Sequence, residues 1–154
     1  SLSIRDEKEV IEILEDASSA GIGLTCLPST NLWLQDFSEN RTPRFRGIAP
    51  IIEAKNLGIP VMIASDNCQD SFYPYGNHDL LSVFKLALIS GHLDENNWFD
   101  SITHLPSEWM GFNNKIQEGS EASFLKFKQS SISEIITLSK NHFQIWEKGK
   151  LIRE

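Results

Sequence analysis

The stretch VMIASDNCQDSFYPYG, residues 61–76, decides how the chain is read. A short apolar run drives straight into Asp66, and a Tyr-Pro-Tyr-Gly turn follows. The run, taken over 59–65, reads as a buried strand, and 66–76 as the loop it feeds. Upstream, 48–57 has the spacing of an amphipathic helix, with Pro50 tolerated in its first turn and Gly58 as its stop. Earlier still, Ser3 and Asp6 fit a helix N-cap, and Val10, Ile13, Leu14 and Ala17 fall on one face of the helix that follows. Gly21 stops that helix, 22–27 reads as a first short strand ending at Pro28, and 29–45 reads as irregular. Downstream, 78–92 is predicted helical with Leu80, Leu81, Phe84 and Leu88 facing inward. Short apolar strands alternating with helices imply a parallel sheet covered on its faces. In such sheets active groups gather at the carboxyl ends of strands, which places Asn31 and Asp66 on the edge where chemistry is expected.

The character changes after about Asn96. Residues 98–110 look helical with a break at Pro106, and 111–119 reads as a loop. A strand is expected at 123–129, a short helix at 131–139, and a hairpin over 143–152 turning at Lys148 and Gly149. This tail is expected to form a small sheet beside the α/β part.

The chain has 154 residues, enough for one ordinary domain, and 40% of them are hydrophobic, enough for a packed core. A formal net charge of −7 disfavours nucleic-acid backbones, so no nucleic-acid partner is expected. Arg41, Arg44 and Arg46 form the one basic cluster, in a turn-rich stretch. No apolar run approaches the roughly 20 residues of a membrane helix, and no membrane partner is expected. Residues 1–9 are polar and acidic, unlike a secretion signal, and Cys26 and Cys68 read as free thiols, so the expected address is cytoplasmic.

Asp66 is the first candidate for chemistry. A carboxylate at the end of an apolar strand is expected to be poorly solvated and to need a metal, a histidine or backbone N–H groups. It reads either as a metal ligand or proton-transfer group, or as a helix N-cap or loop-ordering turn residue. Asn67 and Asp70 can hydrogen-bond a polar ring, and Phe72, Tyr73 and Tyr75 can wall a flat one. For the two tyrosines, packing onto the rim is the better reading. His78, His92, His104 and His142 make no H-x-H pair and no Cys/His pair at ligand spacing, and His78 reads as a surface residue at a helix start. There is no phosphate loop, no G-x-S-x-G elbow and no dinucleotide fingerprint.

With that loop in view, the chain resembles cytosine deaminase of the metal-dependent amidohydrolase superfamily. The stretches that carry the resemblance are GIGLTCLPSTNLWLQ, RTPRFRGIAPIIEAKNLGIPVMIASDNCQDSFYPYGNHDLLSVFKLAL and, more loosely, GSEASFLKF with FQIWEKGKLI. The resemblance implies an α/β chain forming the C-terminal part of a TIM barrel, its last two βα units and following helices over 1–112, and a remnant of a small β-sandwich over 113–154. It implies a divalent metal, iron or zinc, and a small cyclic amidine such as cytosine as substrate. Asp66 matches the aspartate after the last barrel strand, which contacts the metal and handles the water proton. Asn67 matches the pocket residue beside it, and Phe72 an aromatic that closes the pocket.

The departures are informative. The family's H-x-H, the ligand histidine and the acid/base glutamate have no counterpart here, and the histidine after the sixth strand would be expected just before residue 1. Ser123 stands where relatives usually carry aspartate. The isolated chain is therefore expected to be inactive alone and to work with a complementary N-terminal barrel chain or as a homo-oligomer, because open strand edges invite pairing. The alternative is a catalytically inactive remnant serving as an interaction scaffold or as a subunit of a split enzyme.

Overall fold

The computed structural model describes residues 2–112, 115–138 and 142–153. It divides into two units, Ser1–Asp94 and Glu95–Glu154. Among the described residues no helix is long and apolar enough to cross a membrane.

In the first unit a 3-10 turn, Leu2–Ile4, precedes helix α1, Glu7–Ser19. Asp6 caps α1 by accepting the Lys8 N–H, satisfying one of the orphan donors of the first turn. Val10 and Leu14 are buried, whereas Ile13, expected on the same face, is exposed. Strand β1, Leu24–Cys26, runs parallel to β2, Val61–Ile63, in the register Leu24↔Val61, Thr25↔Met62 and Cys26↔Ile63. All three residues of β2 are buried, as a strand covered on both faces should be. Both strands are shorter than the apolar runs that announced them.

Between the strands the stretch expected to be irregular opens with a helix, α2, Pro28–Leu34. Pro28 ends the strand but also occupies the first helical turn, where its fixed φ and missing N–H cost nothing. Helix α3, Ile51–Asn56, begins after Pro50 instead of enclosing it, and buries Ile51 and Ala54. Gly58, at φ +77, then turns the chain into β2. Helix α4, Leu80–Gly91, is capped by Asp79 and closed by His92 in the left-handed conformation. Its buried stripe is Val83, Phe84 and Ala87, with Leu80, Leu81 and Leu88 only half-buried. The inward face is thus set one step away from the expected leucines, because α4 is apolar nearly all round and its periodicity is weak. The core of the unit is built from Phe84, Leu14, Ile51 and Cys26, all fully buried.

The second unit begins with α5, Glu95–Trp98, a 3-10 turn at Phe99–Ile102, and α6, His104–Trp109. The expected break at Pro106 instead falls at Thr103, and Pro106 sits within the first turn of α6. Three antiparallel strands follow in the order β3, Phe124–Phe127; β4, Phe143–Glu147; and β5, Lys150–Arg153. The β4–β5 turn has positive φ at both Lys148 and Gly149, the twist-matched two-residue hairpin geometry. Ser123 accepts the Lys148 N–H at 3.1 Å, so the serine at that position ties the hairpin turn to the start of β3. Helix α7, Ile132–Thr137, is capped by the Ser131 hydroxyl; Ser139, included in the expected helix, lies outside the described residues.

Candidate functional site

Two loops leave the carboxyl ends of β1 and β2. One runs directly into α2, and the other is 64–76. Asp66 lies three residues beyond Ile63, the last residue of β2. Its φ is +60, a left-handed conformation that aspartate tolerates better than most side chains. It is exposed, and its carboxylate accepts no hydrogen bond and forms no ion pair among the described residues. The expectation of a poorly solvated group is overturned: the strand ends short of Asp66 and the left-handed turn carries it into solvent. Nor is it a helix cap, since Asp79 performs that role for α4.

Loop order comes from Asp70. Its carboxylate accepts the Phe72 and Tyr73 N–H groups at 2.9 Å each and the Asn67 side-chain amide at 2.6 Å. The Tyr73 N–H, then the Asn67 amide, hold its pKa below the ordinary carboxylate range. Asp70, read from sequence as a group for a polar ring, is therefore consumed inside its own loop. Asn67 is half-buried, with its amide nitrogen committed to Asp70. The Phe72 side chain is 59% exposed. Gly76 closes the loop by close approach: a Cβ there would stand 2.6 Å from the Asn67 carbonyl oxygen and 2.7 Å from the Cys68 Cα. Sequence reasoning missed Gly76, though a glycine following Tyr-Pro-Tyr is the available signal.

Tyr73 and Tyr75 contact a ring that the sequence reading did not single out, and Tyr75 is still 70% exposed. Trp33 of α2 meets Tyr75 edge-on with ring centres 5.2 Å apart, and Tyr73 at 6.3 Å. The cluster thereby ties the end of the β1 side to the 66–76 loop. The adjoining segment is fastened by Asp36, which accepts both guanidinium arms of Arg41 and the Arg44 and Phe45 N–H groups. Foremost the Arg41 side chain, then those two N–H groups, hold the Asp36 carboxyl well below the usual range. Of the three arginines in the apparent basic cluster, this acid neutralises Arg41.

Among the described residues no three His, Cys, Asp or Glu side chains gather closely enough to hold a metal ion. Among the described residues His78 reaches Ser65 alone, with its Nδ1 3.4 Å from the Ser65 hydroxyl. Asp66 fits a metal as a single oxygen donor with no competing partner; the other ligands would have to come from elsewhere.

No family model matches the chain. It is 33% identical to the pterin deaminase of Rhizobium rhizogenes, over 99% of this chain and 36% of that protein. It also matches the 5-methylcytosine deaminase of Klebsiella pneumoniae liganded with phosphonocytosine, with a TM-score of 0.83 at 22% identity, over 98% of this chain and 38% of that one. N-isopropylammelide isopropylaminohydrolase of Burkholderia multivorans matches with a TM-score of 0.76 at 17% identity, over 98% and 36%. The structural likenesses are likenesses of fold. The chain thus spans little more than a third of the relatives it matches. The resemblance read from the sequence is matched by these findings: over nearly all of its length the chain is similar in sequence to a deaminase and in fold to part of deaminase and aminohydrolase structures.

Proposed function

We propose that the chain supplies the last two βα units of a (β/α)₈ barrel, residues 1–112, and a β-sandwich segment, residues 113–154, to a metal-dependent hydrolase that removes an exocyclic amine from a cyclic amidine. The pterin deaminase relative and the cytosine-analogue-liganded neighbour support an aminated nitrogen heterocycle, cytosine or a pterin, as substrate. In the overall reaction water adds at the ring carbon bearing the amine, the C–N bond breaks, and ammonia leaves as a carbonyl forms.

A bound iron or zinc would supply the Lewis acidity that makes water nucleophilic at neutral pH. Asp66 would offer that metal one carboxylate oxygen, and its carboxylate is the group placed to take up the proton that water gives up. Asn67 accepts an N–H of the substrate at its side-chain carbonyl oxygen, while its nitrogen keeps the hydrogen bond to Asp70. Phe72, solvent-facing in this chain, stacks on the ring face and excludes water.

The observation that carries this reading is Asp66: an unpaired carboxylate just past the carboxyl end of a buried parallel strand. The β1–β2 sheet supports it further, since each strand has a partner on one side only among the described residues. An unpaired strand edge is a template for a further strand, which fits a complementary barrel chain or a further copy pairing there.

The test is to recover this polypeptide from its source under native conditions, with whatever completes it, and measure ammonia release from cytosine and from pterin with iron or zinc supplied. Metal-dependent turnover of one of the two is expected. An assembled, metal-loaded complex that turns over neither would leave the scaffold reading standing.

A further inference from the structure

Two adjoining hollows of about 310 and 380 Å³ lie in the first unit and share Ser29, Tyr73, Tyr75 and Leu86. Neither is lined by Asp66, Asn67 or Phe72. The first extends to Ser65 and His78, the second to Trp33 and Arg46. Each is within the size range of small-molecule sites.

We propose that this cleft, between α2, the 73–78 segment and α4, binds a flat aromatic ring carrying a carboxylate, independently of the deaminase site. Ser29 lines both hollows, is 7% exposed, and its hydroxyl makes no hydrogen bond among the described residues. Unlike the sealed, unpaired Thr30 hydroxyl beside it, the Ser29 oxygen stays accessible, so it marks where a polar atom of a guest would sit. Water would answer that hydroxyl alone; the remaining lining asks for more. Trp33, Tyr73 and Tyr75 meet edge to face, with pairwise ring centres 5.2 to 6.4 Å apart, and form an aromatic wall along one side. The phenol hydroxyls of both tyrosines are also unpaired among the described residues.

Arg46 selects the charge. Its Nε donates to the Leu32 carbonyl oxygen at 2.6 Å, which fixes the plane of the guanidinium against α2. Its two outer nitrogens have no carboxylate partner among the described residues. A guanidinium held in one plane with free outer donors suits the two oxygens of a carboxylate. It is the one permanently charged cation lining the cleft, which suits a monoanion better than a phosphate dianion. The chain's formal net charge of −7 would repel an acid lacking such a contact.

The experiment is an NMR titration of the ¹⁵N-labelled full chain with 2-naphthoate, and with 2-naphthamide as the uncharged counterpart. The Trp33 indole signal, assigned by its loss in Trp33→Phe, and the Ser29 and Tyr75 amides are expected to move with naphthoate and much less with naphthamide. Arg46→Gln is expected to weaken naphthoate about tenfold or more, Ser29→Ala several-fold, and Asp66→Asn not at all. Should Arg46→Gln unfold, Arg46→Lys keeps the charge and must keep the preference for acid over amide. The proposal is overturned if the Trp33 signal stays still at millimolar naphthoate, if acid and amide bind alike, or if the shifts instead centre on residues 66–72. The deaminase reading can fail without touching this result, because the titration needs neither metal nor turnover.

Discussion

Replacing Gly76 with alanine would show how the loop geometry controls Asp66. The new Cβ would stand 2.6 Å from the Asn67 carbonyl oxygen and 2.7 Å from the Cys68 Cα, both backbone atoms. No side chain can swing aside to relieve the overlap. Restoring an ordinary contact moves one strand of the loop by about 0.8 Å, and overpacking of that kind costs about 1–3 kcal/mol. The loop is largely exposed and can yield, so the loss of global stability belongs at the lower end, about 1 kcal/mol. Activity should suffer more, because Asn67 is shifted directly and Asp66 is its neighbour. A misplacement approaching 1 Å costs up to about a hundredfold in rate. Urea unfolding followed by tryptophan fluorescence reads the first quantity, and ammonia release by the assembled enzyme reads the second. Gly76→Ala with undiminished turnover and an unchanged midpoint would refute the reasoning, for the loop would then neither need that close approach nor set the position of Asp66.

Three further outcomes are expected. Phe84→Ala removes a fully buried ring from the core of the first unit and should destabilise that unit by about 3–5 kcal/mol in chemical denaturation. Burial pushes the Cys26 thiol up to about 11, against a lowering hydrogen bond from the Ala49 backbone, so iodoacetamide at neutral pH should label half-buried Cys68 and spare Cys26, as read by peptide mass spectrometry. The Asp70 carboxyl is held low by the Tyr73 N–H and the Asn67 amide. Because its folded pKa is depressed, the loop order it provides is present above the ordinary carboxylate value and is lost as pH falls through the lowered one. Trp33, packed on Tyr73 and Tyr75, should therefore report an acid transition with its midpoint below about 3.9, absent in Asp70→Asn; a midpoint at or above that value would contradict the assignment.

The parallel pair was legible because each apolar run is bounded by residues with one strong meaning: Gly21 and Pro28 around β1, and Gly58 and Asp66 around β2. The same clarity misled at Pro28, where one residue both ends a strand and starts a helix, so α2 was read as irregular chain. At the candidate site, the position of Asp66 after a strand could be read from local pattern. The division of labour between Asp66 and Asp70 could not be, because both are aspartates in one short loop. The available signal was the spacing of Asp70 to the Phe72 N–H two residues on, the reach of an Asx turn. The Trp33 cluster was hidden for a different reason: its rings come from α2 and from a loop about forty residues further on, and no periodicity within either points across the gap. Ile13 and the leucines of α4 show the limit of facing arguments in a sequence apolar on more than one side.

The most direct test of the central claim is Asp66→Ala in the assembled, metal-loaded enzyme, measuring kcat for ammonia release beside the urea midpoint. Because the carboxylate has no partner among the described residues, the midpoint should fall only by the equivalent of the roughly 1 kcal/mol that alanine costs at the left-handed φ of +60, while kcat should fall by about a thousandfold or more. Turnover that survives the substitution would remove Asp66 from the chemistry, and a fold that collapses with it would mean the carboxylate is structural after all.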